Sequence, residues 1–485
     1  METSSVTPTK QTHVAILTSP GMGHIIPSLE LGKSLVSQHN LKVTLFIPTT
    51  SKSPESPTLQ NNQDGLNVIN LPPVDITHLV AGETSLVVGI TTIVRESLAS
   101  LRSIIETSQQ IPTVLIIDLF STDALDIADE FKMSKYMFCT SNMSAYAFLA
   151  YLPKIKRVKN SNDLVSRLTE LVHVPGCKPI RVGLLADPNT GSYGCMLRHA
   201  TRFKELSGVL LNTFEDLEQE TYRALIDDEI AELIPTPSVY PVGPIIKPTV
   251  GPSQNQAIHC LSWLDNQPNG SVLFVSFGSG GSLSSEQVTE LAFGLELSQK
   301  RFIWVVRNPV DFVLPSSYYL DAGNTKEIDP SDFLPDGFLA RTQQVGLVLP
   351  NWAPQVEILS HASVGCFLSH CGWNSTLESI LNGVPMIPWP LFADQHLNAT
   401  LLSDDIKVAA RTQIPPGKEV IRREEIERMI RLVMEEGDEE GQNLRRRAKE
   451  LKTSALRAIS IGGSSYNSLC QLVEKWNTES DSVQL

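Results

Sequence analysis

A histidine and an aspartate follow two predicted strands and could together deprotonate a hydroxyl group. His24 lies in a glycine-containing loop, Pro20-Gly21-Met22-Gly23-His24, after the predicted strand 14–18. An unperturbed histidine is mostly neutral at pH 7 and can accept a proton. Asp118 ends another predicted strand, and a carboxylate there could hold the imidazole in one tautomer. The pair predicts general-base chemistry, and a histidine that only caps the following helix is the alternative.

A second set of polar residues surrounds the predicted start of a helix. Ser369-His370-Cys371-Gly372-Trp373-Asn374 is predicted as a turn between the strand 364–368 and the helix 375–381. Free N–H groups at a helix N-terminus favour a phosphate or diphosphate, and His370 could donate to a phosphate oxygen. Ser375 and Glu378 have the capping-box spacing, which by itself favours capping over ligand binding. Trp352 is either a core residue or an exposed plane on which a base stacks.

Strand, loop and helix patterns alternate along the chain and must position these residues. The repetition predicts parallel sheets in two doubly wound domains, with a boundary between residues 241 and 256, where prolines and glycines break regular structure. Ligands of such folds bind beyond the carboxyl ends of the strands. A cleft between the two domains is therefore the expected site.

Composition excludes several other classes of protein. The 485 residues include 39 Lys and Arg against 53 Asp and Glu, and this net charge of −14 argues against a nucleic-acid partner. No apolar run approaches the roughly 18 residues that span a bilayer, so stable membrane insertion is not expected. The polar first residues and the seven scattered cysteines predict a cytoplasmic protein without a disulfide framework or zinc site.

The segment 352–395, WAPQVEILSHASVGCFLSHCGWNSTLESILNGVPMIPWPLFADQ, resembles the signature box of the plant family 1 UDP-glycosyltransferases. Val275-Ser276-Phe277-Gly278-Ser279 is also similar to that family. His24-Ile25-Ile26-Pro27, Asp118-Leu119-Phe120 and Gly278-Ser279-Gly280-Gly281 most resemble the hydroquinone (arbutin-forming) glucosyltransferase group. The resemblance implies an α/β GT-B fold. Residues 1–245 would bind the acceptor, 246–462 would bind the UDP-sugar, and a helix in 463–485 would pack back on the N-terminal domain.

The resemblance also implies a role for each motif residue. Trp352 would stack on uracil, Ala353 would pair with it through its backbone, and Gln355 and Glu378 would contact the ribose. The residues expected at the diphosphate are Ser279, His370, Asn374 and Ser375, and those expected at the sugar hydroxyls are Trp373, Asp394 and Gln395. His24 would be the base, Asp118 would orient it, and Ser19 would touch the acceptor or the sugar. Phe392 departs from close relatives, which often carry Tyr there.

The implied reaction is an inverting transfer of glucose from UDP-glucose to a small phenolic or indolic hydroxyl, which forms a β-O-glucoside. No metal or other cofactor is expected, because a helix N-terminus and His370 would offset the diphosphate charge and no Asp-x-Asp motif is present. The acceptor would bind near residues 79–88 and 143–152, taken as loops. The alternatives are a non-catalytic nucleotide-sugar binding protein and a dinucleotide-dependent oxidoreductase, whose third glycine is lacking after Gly21 and Gly23.

Overall fold

The computed structural model describes residues 11–51, 64–80, 85–155, 171–181, 191–227, 234, 236–248, 255–310, 328–413 and 420–482. Residues 81–84 of the predicted acceptor segment lie outside this described part. So does most of the surface loop that the sequence predicts over 308–330. Within the described part, no helix combines the length and the apolar character that crossing a membrane requires.

The N-terminal domain is built on a parallel sheet. Its strands are β1 His13–Leu17, β2 Lys42–Ile47, β3 Leu66–Asn70, β4 Val114–Asp118, β5 Ser134–Cys139, β8 Gly208–Leu211 and β9 Val239–Pro241, with a separate hairpin of β6 Leu171–Val172 and β7 Ile180–Arg181. The order across the sheet is β3-β2-β1-β4-β5-β8-β9. Its helices are α1 Met22–His39, α2 Leu86–Glu106, α3 Leu125–Glu130, α4 Met143–Tyr151, α5 Gly191–Arg202 and α6 Gln219–Ile226.

The C-terminal domain repeats this architecture on a smaller scale. Its parallel sheet has the order β12-β11-β10-β13-β14, from β10 Val272–Ser276, β11 Arg301–Val306, β12 Gly346–Pro350, β13 Val364–Ser369 and β14 Met386–Pro388. Its helices are α7 Asn255–Asp265, α8 Ser285–Ser298, α9 Phe338–Thr342, α10 Gln355–Ser360, α11 Trp373–Asn382, α12 Gln395–Thr400, α13 Arg423–Met434, α14 Glu439–Ile459 and α15 Ser464–Ser482. A π-helical turn, Leu401–Asp405, follows α12.

The central strands are buried on both faces because helices cover each sheet. Every residue of β1, β4 and β10 is buried, which matches their nearly continuous apolar sequences. In the N-terminal domain β1 lies beside β4, and in the C-terminal domain β10 lies beside both β11 and β13. The carboxyl ends of neighbouring parallel strands meet at one sheet edge, so the segments that follow them converge. This is the predicted fold of two Rossmann-like domains.

Two local predictions are wrong. Helix α1 begins at Met22, within the predicted glycine loop 20–24, because the carbonyl of Gly21 already accepts from the N–H groups of His24 and Ile25, both at 3.0 Å. His24 therefore lies in the first helical turn and not in the glycine loop. The segment 143–152, taken as a variable loop, is mostly the buried helix α4, whose first turn is capped by Asn142.

Helix α15 follows the C-terminal domain in sequence but packs against the N-terminal domain. Trp476 is fully buried, and its ring meets that of Tyr136 edge to face, with the centroids 5.3 Å apart. The hydroxyl of Thr12 donates to Asn477 Oδ1 at 2.7 Å, and that of Ser134 donates to Glu479 Oε2 at 2.7 Å. The end of the chain therefore ties the two domains together.

Candidate active site

The neighbouring ends of β1 and β4 bring His24 and Asp118 into contact. Nδ1 of His24 lies 2.8 Å from Oδ2 of Asp118. The carboxylate is 2% exposed, whereas the histidine side chain keeps 23% of its surface exposed. With Nδ1 bonded to the carboxylate, the proton of a neutral ring sits on Nδ1 and the lone pair on Nε2. This is the geometry of a general base held by a buried acid.

Hydrogen bonds keep Asp118 ionised although it is buried. Oδ1 accepts from the hydroxyl of Ser19 at 2.5 Å and from the backbone N–H of Phe120 at 3.2 Å. Burial alone would raise the pKa of Asp118, but the His24 charge and these donors outweigh it and lower that pKa. For His24 the signs are reversed. Burial alone would lower its pKa, but the Asp118 charge outweighs burial, so the pKa of His24 is raised.

Two further residues make hydrogen bonds to this pair. Ser19 is fully buried and its hydroxyl donates to Asp118, so this hydroxyl is engaged with the carboxylate. Thr140, which the sequence analysis did not single out, places its hydroxyl 3.1 Å from Nδ1 of His24. Its only sequence signal is its position immediately after β5. The neighbouring aspartates form ion pairs elsewhere: Asp123 with Arg95, Asp126 with Arg202, and Asp129 with Lys135.

Across the cleft, helix α11 has an open N-terminus. It begins at Trp373 with Gly372 as its N-cap residue, and no side chain caps it. Ser375 is therefore inside the first turn, and the capping box that its spacing with Glu378 favours does not form. The first N–H groups of a helix have no intrahelical partner and attract anions. The end of α11 is thus a suitable place for a diphosphate.

His370 lies between two glycines at this helix end. A Cβ atom at Gly278 would come within 2.5 Å of the imidazole, and one at Gly372 within 2.4 Å. Nδ1 of His370 and Oδ1 of Asn374 are buried without a hydrogen-bond partner, and a bound ligand could supply one. Burial lowers the pKa of His370 to about 4, with help from the Arg307 charge, so the ring is neutral at pH 7.

Arg307, which the sequence analysis missed, connects the loops that follow β10 and β12. It follows β11, and its guanidinium donates to the carbonyl of Ser279 and, at 3.3 Å, to that of Asn351. Ser279 follows the end of β10, and Asn351 precedes Trp352 with a left-handed φ of 63°. A single arginine after an apolar strand forms no recognisable motif, so only its place beside β10 and β12 reveals this contact.

The residues expected at the nucleoside lie beyond β12. Trp352 is 47% exposed, which resolves the open alternative in favour of an accessible aromatic plane. The amide nitrogen of Gln355 donates to Oε2 of Glu378 at 2.6 Å and to the hydroxyl of Ser375 at 2.9 Å, so these three residues are brought together. Burial raises the pKa of Glu378 to about 7, against the effect of the Gln355 bond. Ala353 is buried beside them.

The residues expected at the sugar are already engaged with protein groups. Asp394 Oδ2 accepts from the hydroxyl of Ser141 in the N-terminal domain at 2.5 Å, and burial raises the Asp394 pKa. Oε1 of Gln395 accepts from the backbone of Leu391 at 2.8 Å and of Phe392 at 3.1 Å. This leaves the amide nitrogen of Gln395 as the group that can donate to a hydroxyl.

Trp373 is tied to the opposite domain. Its indole N–H donates to the carbonyl of Asn212 at 2.8 Å, and the side chain is 4% exposed. Any contact with a sugar would therefore come from its backbone. Further along the interface, Asn142 donates to Asn398 Oδ1 at 2.5 Å, and Asn398 donates to the carbonyl of Cys371 at 2.8 Å.

The arrangement places the His24–Asp118 pair on one wall of the cleft and the uncapped N-terminus of α11 on the other. Such an arrangement can deprotonate a nucleophile while it stabilises a departing diphosphate. In the described part of the chain, no group of three or more His, Cys, Asp or Glu side chains is placed to hold a metal ion.

Comparison with known proteins gives consistent results. A family described as "UDP-glucoronosyl and UDP-glucosyl transferase" matches residues 249–413. UDP-glycosyltransferase 72E3 of Arabidopsis thaliana is 43% identical, over 96% of each chain. Hydroquinone glucosyltransferase of Rauvolfia serpentina is 40% identical, over 97% of this chain and 99% of its own.

A solved structure has the same fold. It is UGT2 of Phytolacca americana, complexed with UDP-2-fluoro-glucose and pterostilbene. It superimposes with a TM-score of 0.82 at 38% identity, and the match covers 96% of this chain and 99% of that one. Both domains of this chain therefore have counterparts in a structure that holds a UDP-sugar analogue.

Proposed function

This chain belongs to the plant family 1 UDP-glycosyltransferases, and we propose that it transfers glucose from UDP-glucose to a hydroxyl of a small phenolic or indolic acceptor. The observation that carries the proposal is the 2.8 Å contact of His24 with the buried Asp118, across the cleft from the open N-terminus of α11. A protein that only binds nucleotide sugars has no need of a buried acid behind an accessible histidine.

The reaction follows from this geometry. Nε2 of His24 takes the proton of the acceptor hydroxyl as its oxygen attacks the anomeric carbon. The bond from that carbon to the diphosphate breaks, and UDP leaves with the bonding electrons. Attack from the face opposite the leaving group inverts the α-linked donor to a β-glucoside. Asp118 stabilises the imidazolium ion that forms.

The anion site serves the leaving group. The N-terminal N–H groups of α11, together with Ser279, His370, Asn374 and Ser375, would compensate the charge that grows on the β-phosphate. Because His370 is neutral at pH 7, its ring can donate one N–H to a phosphate oxygen without adding a positive charge to the site. We propose that no metal ion takes part, because these donors would stabilise the negative charge of the diphosphate as a cation does in other enzymes.

The nucleoside and the sugar would bind on either side of the diphosphate. The exposed face of Trp352 suits uracil stacking, with the backbone of Ala353 beside it, and Gln355 and Glu378 would reach the ribose. Asp394 and Gln395, with the backbone of Trp373, would bind the sugar hydroxyls. Glucose as the donor, and a phenol as the acceptor, are also supported by the names of the hydroquinone glucosyltransferase and of the pterostilbene complex.

An acceptor panel tests the proposal. The full chain is incubated with UDP-glucose and hydroquinone, a monolignol, indoxyl, a chlorinated phenol or a flavonoid, and glucoside and free UDP are both quantified. We expect equal amounts of UDP and glucoside, and a β-anomeric proton coupling in the product. Binding of UDP-glucose without turnover of any acceptor would contradict the proposal and favour the binding-protein alternative.

A further inference from the structure

One hydrogen bond joins the anion site directly to the helix that carries the proposed base. Nδ2 of Asn374, at the start of α11, donates to the carbonyl of Gly23 at 3.0 Å. Gly23 immediately precedes His24 in the first turn of α1. The bond therefore spans the cleft between the two domains and ends on the residue next to the imidazole.

Pro27 removes the helical competitor for the Gly23 carbonyl. In an α-helix each carbonyl accepts from the N–H four residues later, and for Gly23 that residue is Pro27, which has no N–H. The carbonyl at this point of α1 is thus left without its intrahelical donor. A proline within a helix normally destabilises it because one helical hydrogen bond is lost. Here the bond from Asn374 compensates for that loss.

The orientation of the Asn374 amide supports this assignment. A carbonyl oxygen can only accept a hydrogen bond, so the amide must present its NH2 group and not its oxygen to Gly23. The amide oxygen, Oδ1, is then directed elsewhere and is buried without a partner. The NH2 group has two hydrogens, so one can bond Gly23 while the other reaches a phosphate oxygen.

We propose that Pro27 is a positioning residue: it keeps the Gly23 carbonyl free for Asn374, and this link aligns His24 with the donor bound at α11. The inference rests on the proposed function in one respect, that Asn374 lies at the diphosphate. Donor binding then fixes the Asn374 side chain and, through it, the first turn of α1. Transfer requires this alignment, whereas binding of UDP in the C-terminal domain does not.

A double-mutant cycle tests the link. Pro27→Ala supplies an N–H that competes for the Gly23 carbonyl, and Asn374→Ala removes the interdomain donor. The four proteins of the cycle are compared by kcat and KM for UDP-glucose and by calorimetric UDP affinity. Asn382→Ala, at the other end of α11, replaces Asn374→Ala in a matched control cycle.

We expect Pro27→Ala to lower kcat about 3- to 10-fold in the wild-type background, the size of one hydrogen bond, with KM changed less than about twofold. In the Asn374→Ala background the same substitution should change kcat by less than about 1.5-fold, because the link is already absent. Together with Asn382→Ala it should have its full effect. An equal effect of Pro27→Ala in the wild-type and Asn374→Ala backgrounds, or no effect in either, would overturn the proposal.

The thermal unfolding midpoints of the same four proteins provide a second test. It needs no acceptor, so it can be carried out even if the transferase proposal fails. Pro27→Ala gains a helix bond in both backgrounds but loses the interdomain link only where Asn374 is present. Its effect on the unfolding midpoint should therefore be more favourable in the Asn374→Ala background, by roughly 1 °C or more. Additive midpoints would contradict the link whatever the acceptor is.

Discussion

Burial lowers the pKa of His24, but contact with Asp118 and the nearby charge of Asp394 outweigh it and raise that pKa, which predicts a pH dependence of the reaction. The Asp118 charge raises the His24 pKa above its ordinary value of 6.5. The base works only when it is neutral, so kcat/KM should fall as pH decreases through this raised pKa. Asp118→Asn removes the charge, so the acid limb of the profile should move to lower pH while the maximal rate also falls, because the ring tautomer is no longer fixed.

The control for this prediction is Asp123→Asn. Asp123 follows the same strand but pairs with Arg95, 3.0 Å away, and not with His24. Its removal should leave the acid limb in place. A pH–rate profile of Asp118→Asn that coincides with that of the wild type would assign the base to another group.

Sugar selectivity is expected to depend on Gln395. A site built to bind a particular hydroxyl penalises its epimer, so UDP-glucose should exceed UDP-galactose by about tenfold or more in kcat/KM. Gln395→His should narrow this ratio, because the substitution removes the amide that the Leu391 and Phe392 backbone holds in place. The ratio is measured with both donors under identical conditions. Equal efficiencies in the wild type would show that this residue does not select the sugar.

At the residue scale, strand ends were the most informative sequence signal. His24 and Asp118 could be paired because His24 follows one buried strand and Asp118 ends another, and the structure places them in contact. Arg307, Thr140 and Ser141 also follow strand ends, but this position alone does not identify their partners. Their contacts depend on which strands become neighbours and on how the two domains face each other, and neither is encoded in local spacing.

At the level of elements, the sequence predicted the alternation of strands and helices but not two helix starts. Both α1 and α11 begin earlier than their apolar periodicity indicates, at Met22 and Trp373. In each case the cap is a glycine, Gly21 or Gly372, with no side-chain cap bond to mark it. The early start of α11 leaves its first N–H groups without a side-chain cap, as the proposed diphosphate site requires.

This open helix end leads to a prediction about metal ions. The N-terminal dipole of α11 and the neutral His370 are expected to replace a cation at the diphosphate. Treatment with EDTA should therefore leave the rate of glucosyl transfer unchanged. An assay before and after chelation, with a metal-dependent glycosyltransferase as positive control, checks this. Loss of activity that magnesium or manganese restores would refute it.

Over the whole molecule, α15 should contribute strongly to stability, because it joins the end of the chain to the N-terminal domain. Trp476→Ala removes a fully buried indole and should cost about 3–5 kcal/mol of unfolding free energy. Denaturant titration measures this cost. Gln471→Ala, at an exposed position of the same helix, should change it by less than about 0.5 kcal/mol. A similarly small effect of Trp476→Ala would show that the packing of α15 on the N-terminal domain contributes little to stability.

The central claim is that the N-terminal domain supplies the base and the C-terminal domain binds UDP, and His24→Ala tests it most directly. In the proposed mechanism the base acts on an acceptor bound by the N-terminal domain, whereas UDP binds to the C-terminal domain. We therefore expect the transfer rate to fall roughly 10²- to 10⁴-fold. UDP affinity, measured by calorimetry, should stay unchanged. His39→Ala, at the opposite end of α1, should retain the wild-type rate. A His24→Ala rate within about threefold of wild type, or lost UDP binding, would contradict the account.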